Sequence, residues 1–230
     1  VLKGPSATLY GGGLGTPLGG IINIESERPN ARLGGFVGMR AGSFSTRNPY
    51  ANINVPLAKG VAARIAAEYQ ENNSWIDQVH GRRSSVQPSL AFQIDPRTDL
   101  LFQGQFNRRS QLEYSGLPAT QALNGQIDRN AFPGSPIGQP MTTNNTNLGQ
   151  TTLRHAFSED VKLTVSGRYY KAAIREYGSF VNPDLMPPDP ATPTIYPIIP
   201  ITMITDTKEA TFDANLLVKA QLLGGSHAFL

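Results

Sequence analysis

From Leu33 onward apolar and polar residues alternate along the chain with a period of two. This is the period of a strand, whose successive side chains point to opposite faces. From Val61 one face reads Val61, Ala63, Ile65, Ala67 and Tyr69, and the other Ala62, Arg64, Ala66, Glu68 and Gln70. The same division sets Val86, Leu90, Phe92 and Ile94 against Gln87, Ser89, Ala91 and Gln93, and Leu100, Phe102, Gly104 and Phe106 against Leu101, Gln103, Gln105 and Asn107. It returns in Val161, Leu163, Val165, Gly167 and Tyr169, and in Phe212, Ala214, Leu216 and Val218. The pattern predicts strands over Arg32–Gly42, Tyr50–Leu57, Val61–Gln70, Ser84–Ile94, Asp99–Arg109, Asn147–Phe157, Val161–Arg175 and Glu209–Ala220, with another starting at Ser226. Strands of soluble proteins usually run about five or six residues. Alternation sustained for about ten is what a tilted strand needs to cross a bilayer.

The connections are regular as well. Short links at Ala58–Gly60, Asp95–Thr98, Ser158–Asp160 and Leu223–Gly225 alternate with longer ones at Ser43–Pro49, Glu71–Arg83, Ser110–Thr146 and Glu176–Lys208. Antiparallel strands place every second link on the same side, so the alternation describes a sheet with tight turns at one end and long loops at the other. Outer-membrane barrels are built this way, with short periplasmic turns and long external loops. The two longest loops hold most of the 18 prolines, which keeps residues without an N–H out of the ladders. Pro56 and Pro88 are exceptions, each near a predicted strand end.

Composition narrows the alternatives. The 230 residues include 23 Gly and 18 Pro, which disfavours a helical bundle, and no cysteine, which excludes a disulfide scaffold, a thiolate metal site and a cysteine nucleophile. A net charge of +3 is too mild to argue for a nucleic-acid surface. No stretch of 18 apolar residues exists to form a membrane helix. The chain opens on Val1 without a leader and stops within an alternating segment, so it is expected to be a fragment. A sheet in lipid must close, and further strands are expected after Leu230.

The first thirty residues have a different texture, with glycines at Gly11, Gly12, Gly13, Gly15, Gly19 and Gly20. A phosphate loop is ruled out because no Gly-Lys-Ser/Thr follows and the GxGxxG spacing is broken. The run Leu2-Lys3-Gly4-Pro5-Ser6-Ala7-Thr8-Leu9-Tyr10-Gly11, then Pro17-Leu18-Gly19-Gly20-Ile21-Ile22-Asn23-Ile24 and Glu27-Arg28-Pro29, resembles the end of the plug domain of TonB-dependent outer-membrane receptors. Lys3 stands where that motif normally carries Arg. Gly42-Ser43-Phe44, Asn54-Val55-Pro56-Leu57, Tyr114-Ser115-Gly116-Leu117-Pro118-Ala119 and Leu153-Arg154-His155-Ala156-Phe157 are similar to the ferric-siderophore branch.

The resemblance implies an all-β fold: a partial transmembrane antiparallel β-barrel, about nine strands of an expected 22 or so, preceded by the C-terminal end of a plug. Residues 1–30 would belong to the plug and 31–230 to the barrel. It further implies a receptor that is not an enzyme and holds no resident cofactor or metal. Such a receptor takes up a ferric siderophore as cargo, with the TonB complex on the periplasmic side, outer-membrane lipid around it and no nucleic acid. Tyr10 and Tyr114 are candidate ligand contacts by the same resemblance, and Gly116 lacks the second aromatic of some relatives. Arg28 is a candidate plug–barrel contact, with carboxylate partners expected beyond Leu230. Trp75 and Tyr69 read as interfacial girdle residues, and His155 as structural. The rival readings are a TonB-dependent receptor for cobalamin, haem or a glycan, and a plugless structural or adhesive barrel. An enzyme barrel lacks a Gly-x-Ser-x-Gly and a convergent acid and base.

Overall fold

A computed structural model of the chain describes residues 2–3, 20–21, 26–134, 138–192, 195–222 and 225–229. Two short strands, β1 (Leu2–Lys3) and β2 (Gly20–Ile21), pair antiparallel. The rest is one nine-stranded antiparallel sheet. Its strands are β3 (Gly34–Gly42), β4 (Thr46–Ala58), β5 (Val61–Asn73), β6 (His80–Asp95), β7 (Thr98–Gln111), β8 (Thr142–Ala156), β9 (Val161–Phe180), β10 (Ile199–Leu222) and β11 (Gly225–Phe229). Each strand pairs with its neighbours in the chain, so the sheet is an uninterrupted meander. Every strand predicted from the alternation is present, in order. Among the described residues no helix is long and apolar enough to cross a membrane; the one short helix, α1 (Ala119–Leu123), sits in a loop.

Most strands are longer than the alternation suggests, chiefly at the loop end, whereas β3 begins two residues later, at Gly34. β9 continues to Phe180 and β10 begins at Ile199, which cuts the Glu176–Lys208 loop to the segment from Val181 to Ile198. The Ser43–Pro49 link shrinks to Ser43–Ser45. Pro49 and Pro200, assigned to loops by sequence, therefore lie inside β4 and β10, opposite Met39 and Ser179. The reason is solvation. Alternation marks a face that meets lipid, whereas strand ends such as Thr142-Thr143-Asn144-Asn145 project into water and keep their ladder without an apolar stripe.

The register sorts the two faces. Paired residues share a face, and the rows Ala63–Leu90–Phe102 and Phe92–Leu100–Leu153–Val165–Ala214 run straight across the strands. This outward band carries no charge between Pro49 and Leu57, Val61 and Tyr69, or Leu100 and Phe106. Its side chains are openly exposed, as with Val37 and Phe212 at 75% and 76%. The opposite face holds Asn54, Arg64, Gln87, Gln103, Gln150 and Arg168. The buried wall residues Asn48, Asn54, Ala62, Leu101, Thr152 and Ala172 all belong to it. Ser179, at the loop end of β9, is the one buried strand residue of the described chain on the outward face, and burial concentrated on the other face identifies the concave, luminal side.

Two glycines carry the local geometry. Gly60 adopts φ +77° in the Lys59-Gly60 turn, where a Cβ would stand 2.8 Å from the Gln93 carbonyl oxygen. On the luminal side the Tyr50 ring lies across Gly38, so that a Cβ there would meet Tyr50 Cζ at 2.5 Å. The same ring packs edge-on to Phe36 and beneath the Arg40 guanidinium, 4.0 Å from the ring centre. Pro88 interrupts the β6–β7 register between Val86 and Ser89 while retaining its pairing to Ile65 of β5. Its missing N–H thus falls on one side only.

The facing assignment is directly testable. Phe102→Arg in the full-length protein puts a charge into hydrocarbon, costing about 2–4 kcal/mol near the bilayer midplane. Gln103→Arg, one residue on, faces the lumen. Folding titrations into lipid vesicles are expected to show the first loss and little change for the second; equal losses would invalidate the facing.

Candidate functional site

The turn end of the lumen holds the segment leading into β3. Glu27 pairs with Arg64 of β5, and Arg28 Nη2 donates to Asp99 Oδ2 of β7 at 2.6 Å. Adjacent residues of opposite charge thus grip opposite charges on two different strands. Both pairs retain partial solvent access, so each contributes modestly by itself. Their value is positional, since matching the two signs requires a single register.

Asn54 completes the attachment. Its side chain accepts a hydrogen bond from the Asn30 backbone N–H at 3.0 Å and donates to the carbonyls of Asn30 and Arg32 at 2.9 and 2.6 Å. It is only 4% exposed. One buried amide therefore satisfies backbone groups of a segment with no ladder of its own. This explains the polar residue opening Asn54-Val55-Pro56-Leu57. His155 likewise has a structural position: its Nδ1 lies 2.8 Å from Thr98 Oγ1, and its ring meets Phe157 edge-on.

The structure corrects the expected position of the Arg28 partner. Asp99 lies within the chain, next to the Asp95–Thr98 turn, and not beyond Leu230. Glu27, Arg64 and Asn54 were not singled out as contacts by sequence, although Arg64 stood on the more polar face of its strand and Asn54 in the Asn54-Val55-Pro56-Leu57 motif.

At the far end, roughly 40 Å away along β7, lies Tyr114. Its ring packs against Phe132 with centroids 6.1 Å apart, and burial pushes its hydroxyl above the usual tyrosine range. The loop carrying it is internally braced. Leu112 and Pro118 are buried, and Gln139 donates to the Glu113 carbonyl at 2.9 Å while its own oxygen receives Ser179 Oγ at 2.8 Å. The neighbouring loop is tied on as well. The Asp77 backbone N–H reaches the Asn130 carbonyl at 2.7 Å, and the Asn130 amide returns to the Asp77 carboxylate at 3.0 Å. Tyr10 lies outside the described residues. Trp75 is exposed in the loop after β5, and Tyr69 lies on the outward face near its end.

No family model matches the chain. It is 31% identical over 181 residues to the metal-pseudopaline receptor CntO of Pseudomonas aeruginosa, which covers 78% of this chain and 25% of that protein. The chain is homologous to the TonB-dependent outer-membrane receptors. It is also 28% identical over 136 residues to the ferrioxamine receptor of Yersinia enterocolitica, covering 58% of this chain and 19% of that one. This receptor homologue thus spans about a quarter of the length of the curated relatives it matches. The solved structure of the FpvAI–pyocin S2 complex superposes with a TM-score of 0.85 at 23% identity over 98% of the chain and 29% of its own. The ferric-catecholate import receptor Fiu from K12 E. coli superposes at 0.83 with 19% identity, over 96% and 33%. These structural likenesses establish the fold, so the sheet is part of a β-barrel wall, and the relatives it matches are Gram-negative outer-membrane receptors.

Asn54→Ala in the full-length receptor is expected to free the backbone around Asn30 at a cost of about 1–3 kcal/mol for the buried groups left unpaired. Amide hydrogen exchange at Asn30 and Arg32 should quicken selectively. Unchanged exchange there would show that the amide is not what holds the segment.

Proposed function

We propose that this chain is the plug-to-barrel junction of a receptor that actively takes a ferric siderophore, or a closely similar metal chelate, into the periplasm. Residues 1–30 are the end of the plug and 31–230 the first part of the barrel. The observation that carries the reading is the double ion pair, Glu27 to Arg64 and Arg28 to Asp99, joining the segment before β3 to the luminal wall at its turn end. A structural or adhesive barrel without a plug has no use for a charged clasp at that place.

The mechanism follows from position. Cargo is captured among the braced outer loops, where Tyr114 and the motif tyrosine Tyr10 supply aromatic and hydroxyl contacts. The clasp restrains the plug at the other end until the periplasmic TonB complex pulls. Partly hydrated ion pairs suit this purpose: they fix register at rest and separate at modest cost, because water reaches the parted charges. No covalent step is required, and the receptor names of the relatives support a transporter in preference to an enzyme. The similarity to a metal-pseudopaline receptor favours a metal chelate over cobalamin, haem or a glycan.

Arg28→Asp and Asp99→Arg each place like charges together and are expected to loosen the plug. In the full-length receptor this is read as faster proteolysis near Glu27 and altered TonB-dependent uptake of iron-loaded siderophore. Combining the two substitutions restores the pair with reversed polarity and should return both readouts toward the parent. Proteolysis and uptake unchanged in every variant would remove the latch.

Tyr114→Ala should weaken binding of the iron-loaded siderophore by about 1–2 kcal/mol, the scale of an aromatic contact. Tyr114→Phe preserves the packing on Phe132 and tests the hydroxyl alone. Parent-like affinity in both variants would assign Tyr114 to loop packing only.

A further inference from the structure

Above the apolar band, on the loop side, the outward face becomes cationic. Arg47 and Arg175 are answered by carboxylates, Glu71 at 4.0 Å and Asp206 at 2.8 Å. Lys171 and Lys208 are not. They sit directly opposite each other on β9 and β10, both exposed, and the ion pairs of the described residues include neither. Opposed residues in an antiparallel pair hold their Cβ atoms about 4.5–5.5 Å apart, and like charges there are destabilising.

A third cation joins them. Asn147 of β8 pairs with Lys171, and its side-chain oxygen accepts from Arg108 Nη2 at 2.9 Å. Arg108 Nη1 also donates to the carbonyls of Asn107 and Thr146 at 2.8 and 3.2 Å. The guanidinium is therefore held in place by neutral acceptors with its charge uncompensated. The result is an outward cluster, with Asn147, Lys171 and Lys208 in one row and Arg108 one step diagonal to Asn147 in the next, whose carboxylate Asp206 is taken by Arg175. The other three positive charges have no ion pair among the described residues.

Directly beneath it, one step into the hydrocarbon band, Gly104 and Gly149 face each other. Where neighbouring rows project side chains, this pair leaves a depression of about 600 Å³ bordered by Ile65, Pro88, Phe102 and Phe106. A Cβ at Gly149 would meet nothing within 4 Å. The depression is continuous with the lipid-facing band, so its natural occupant is hydrocarbon.

We propose that this stretch of wall is a specific site for an anionic, phosphorylated lipid of the outer leaflet, its phosphates on Arg108, Lys171 and Lys208 and an acyl chain in the Gly104–Gly149 depression. Charge complementarity and continuity with the lipid interface select this occupant. A protein partner would have to displace lipid from the band, and a free anion would make no use of the depression. The site rests on the barrel reading of the wall and is independent of the cargo.

The test uses the full-length receptor, stripped of lipid in detergent and titrated with bisphosphorylated, hexa-acylated lipid A. Lys171→Ala with Lys208→Ala is expected to weaken binding about thirtyfold, each cation contributing roughly fivefold. Gly149→Leu, which fills the depression, should also weaken it, whereas Lys59→Ala at the opposite rim should not. Lipid A without its phosphates should bind poorly, and an equal concentration of inorganic phosphate should not compete. Parent-like binding by the double variant, equal binding of dephosphorylated lipid A, or full competition by inorganic phosphate would each overturn the proposal. Heat-modifiable migration reports folding of each variant, and Lys171→Gln with Lys208→Gln replaces the alanine pair should it fail to assemble. Siderophore uptake is measured alongside: uptake retained with lipid A binding lost supports the site, and uptake lost with lipid A binding intact counts against the transport reading alone.

Discussion

Every feature of this wall depends on the backbone having to satisfy its own hydrogen bonds where there is no water to do so. Hydrocarbon offers neither donor nor acceptor, which leaves a spanning chain either helix or closed sheet. With no apolar stretch long enough for a helix, the sheet remains, and its ladders run unbroken from β3 to β11. The constraint also places the irregularities. Register shifts fall at Pro56/Ala58 and Gln93/Asp95, beside tight turns, where water can serve the groups the ladder releases. Pro88, deeper in the sheet, gives up its pairing to one strand only, with Gly104 opposite the gap.

The same constraint decided what could be read from the sequence. A strand between lipid and lumen must alternate, so all nine strands were legible with nearly correct turn ends. Their loop ends were not, because Thr142–Thr146 and Ile199–Lys208 project beyond the bilayer, where nothing requires alternation. The clasp was half legible. Arg28 stood out through the Glu27-Arg28-Pro29 motif, but an ion pair is non-local, and no local signal marks Asp99 as its partner across 71 positions. Asn54 lay inside a quoted motif without its purpose showing. Its purpose is to satisfy backbone groups of a segment over twenty residues earlier.

The two ends of the lumen are built from different interactions. At the turn end, ion pairs and one buried amide fix the segment before β3 to the luminal wall. At the loop end, side chains packed around Leu112, Tyr114, Pro118 and Phe132 fix loops to one another. Gln139 donates to the Glu113 carbonyl and Asn130 to the Asp77 carboxylate, which ties that layer together. Charge pairs with access to water separate at modest cost, whereas packed apolar contacts resist separation through the area they would expose.

That difference gives the structure a direction. On the proposed function, a pull from the periplasm would act on the clasp, whose parted charges water can stabilise. The loop layer and the ladders have no comparable substitute for what they would lose, so the proposed motion would be confined to the segment before β3. The outward face follows the same logic. Its uncompensated cations lie at the height where lipid can supply phosphate, and the missing counter-ion is left to the membrane itself.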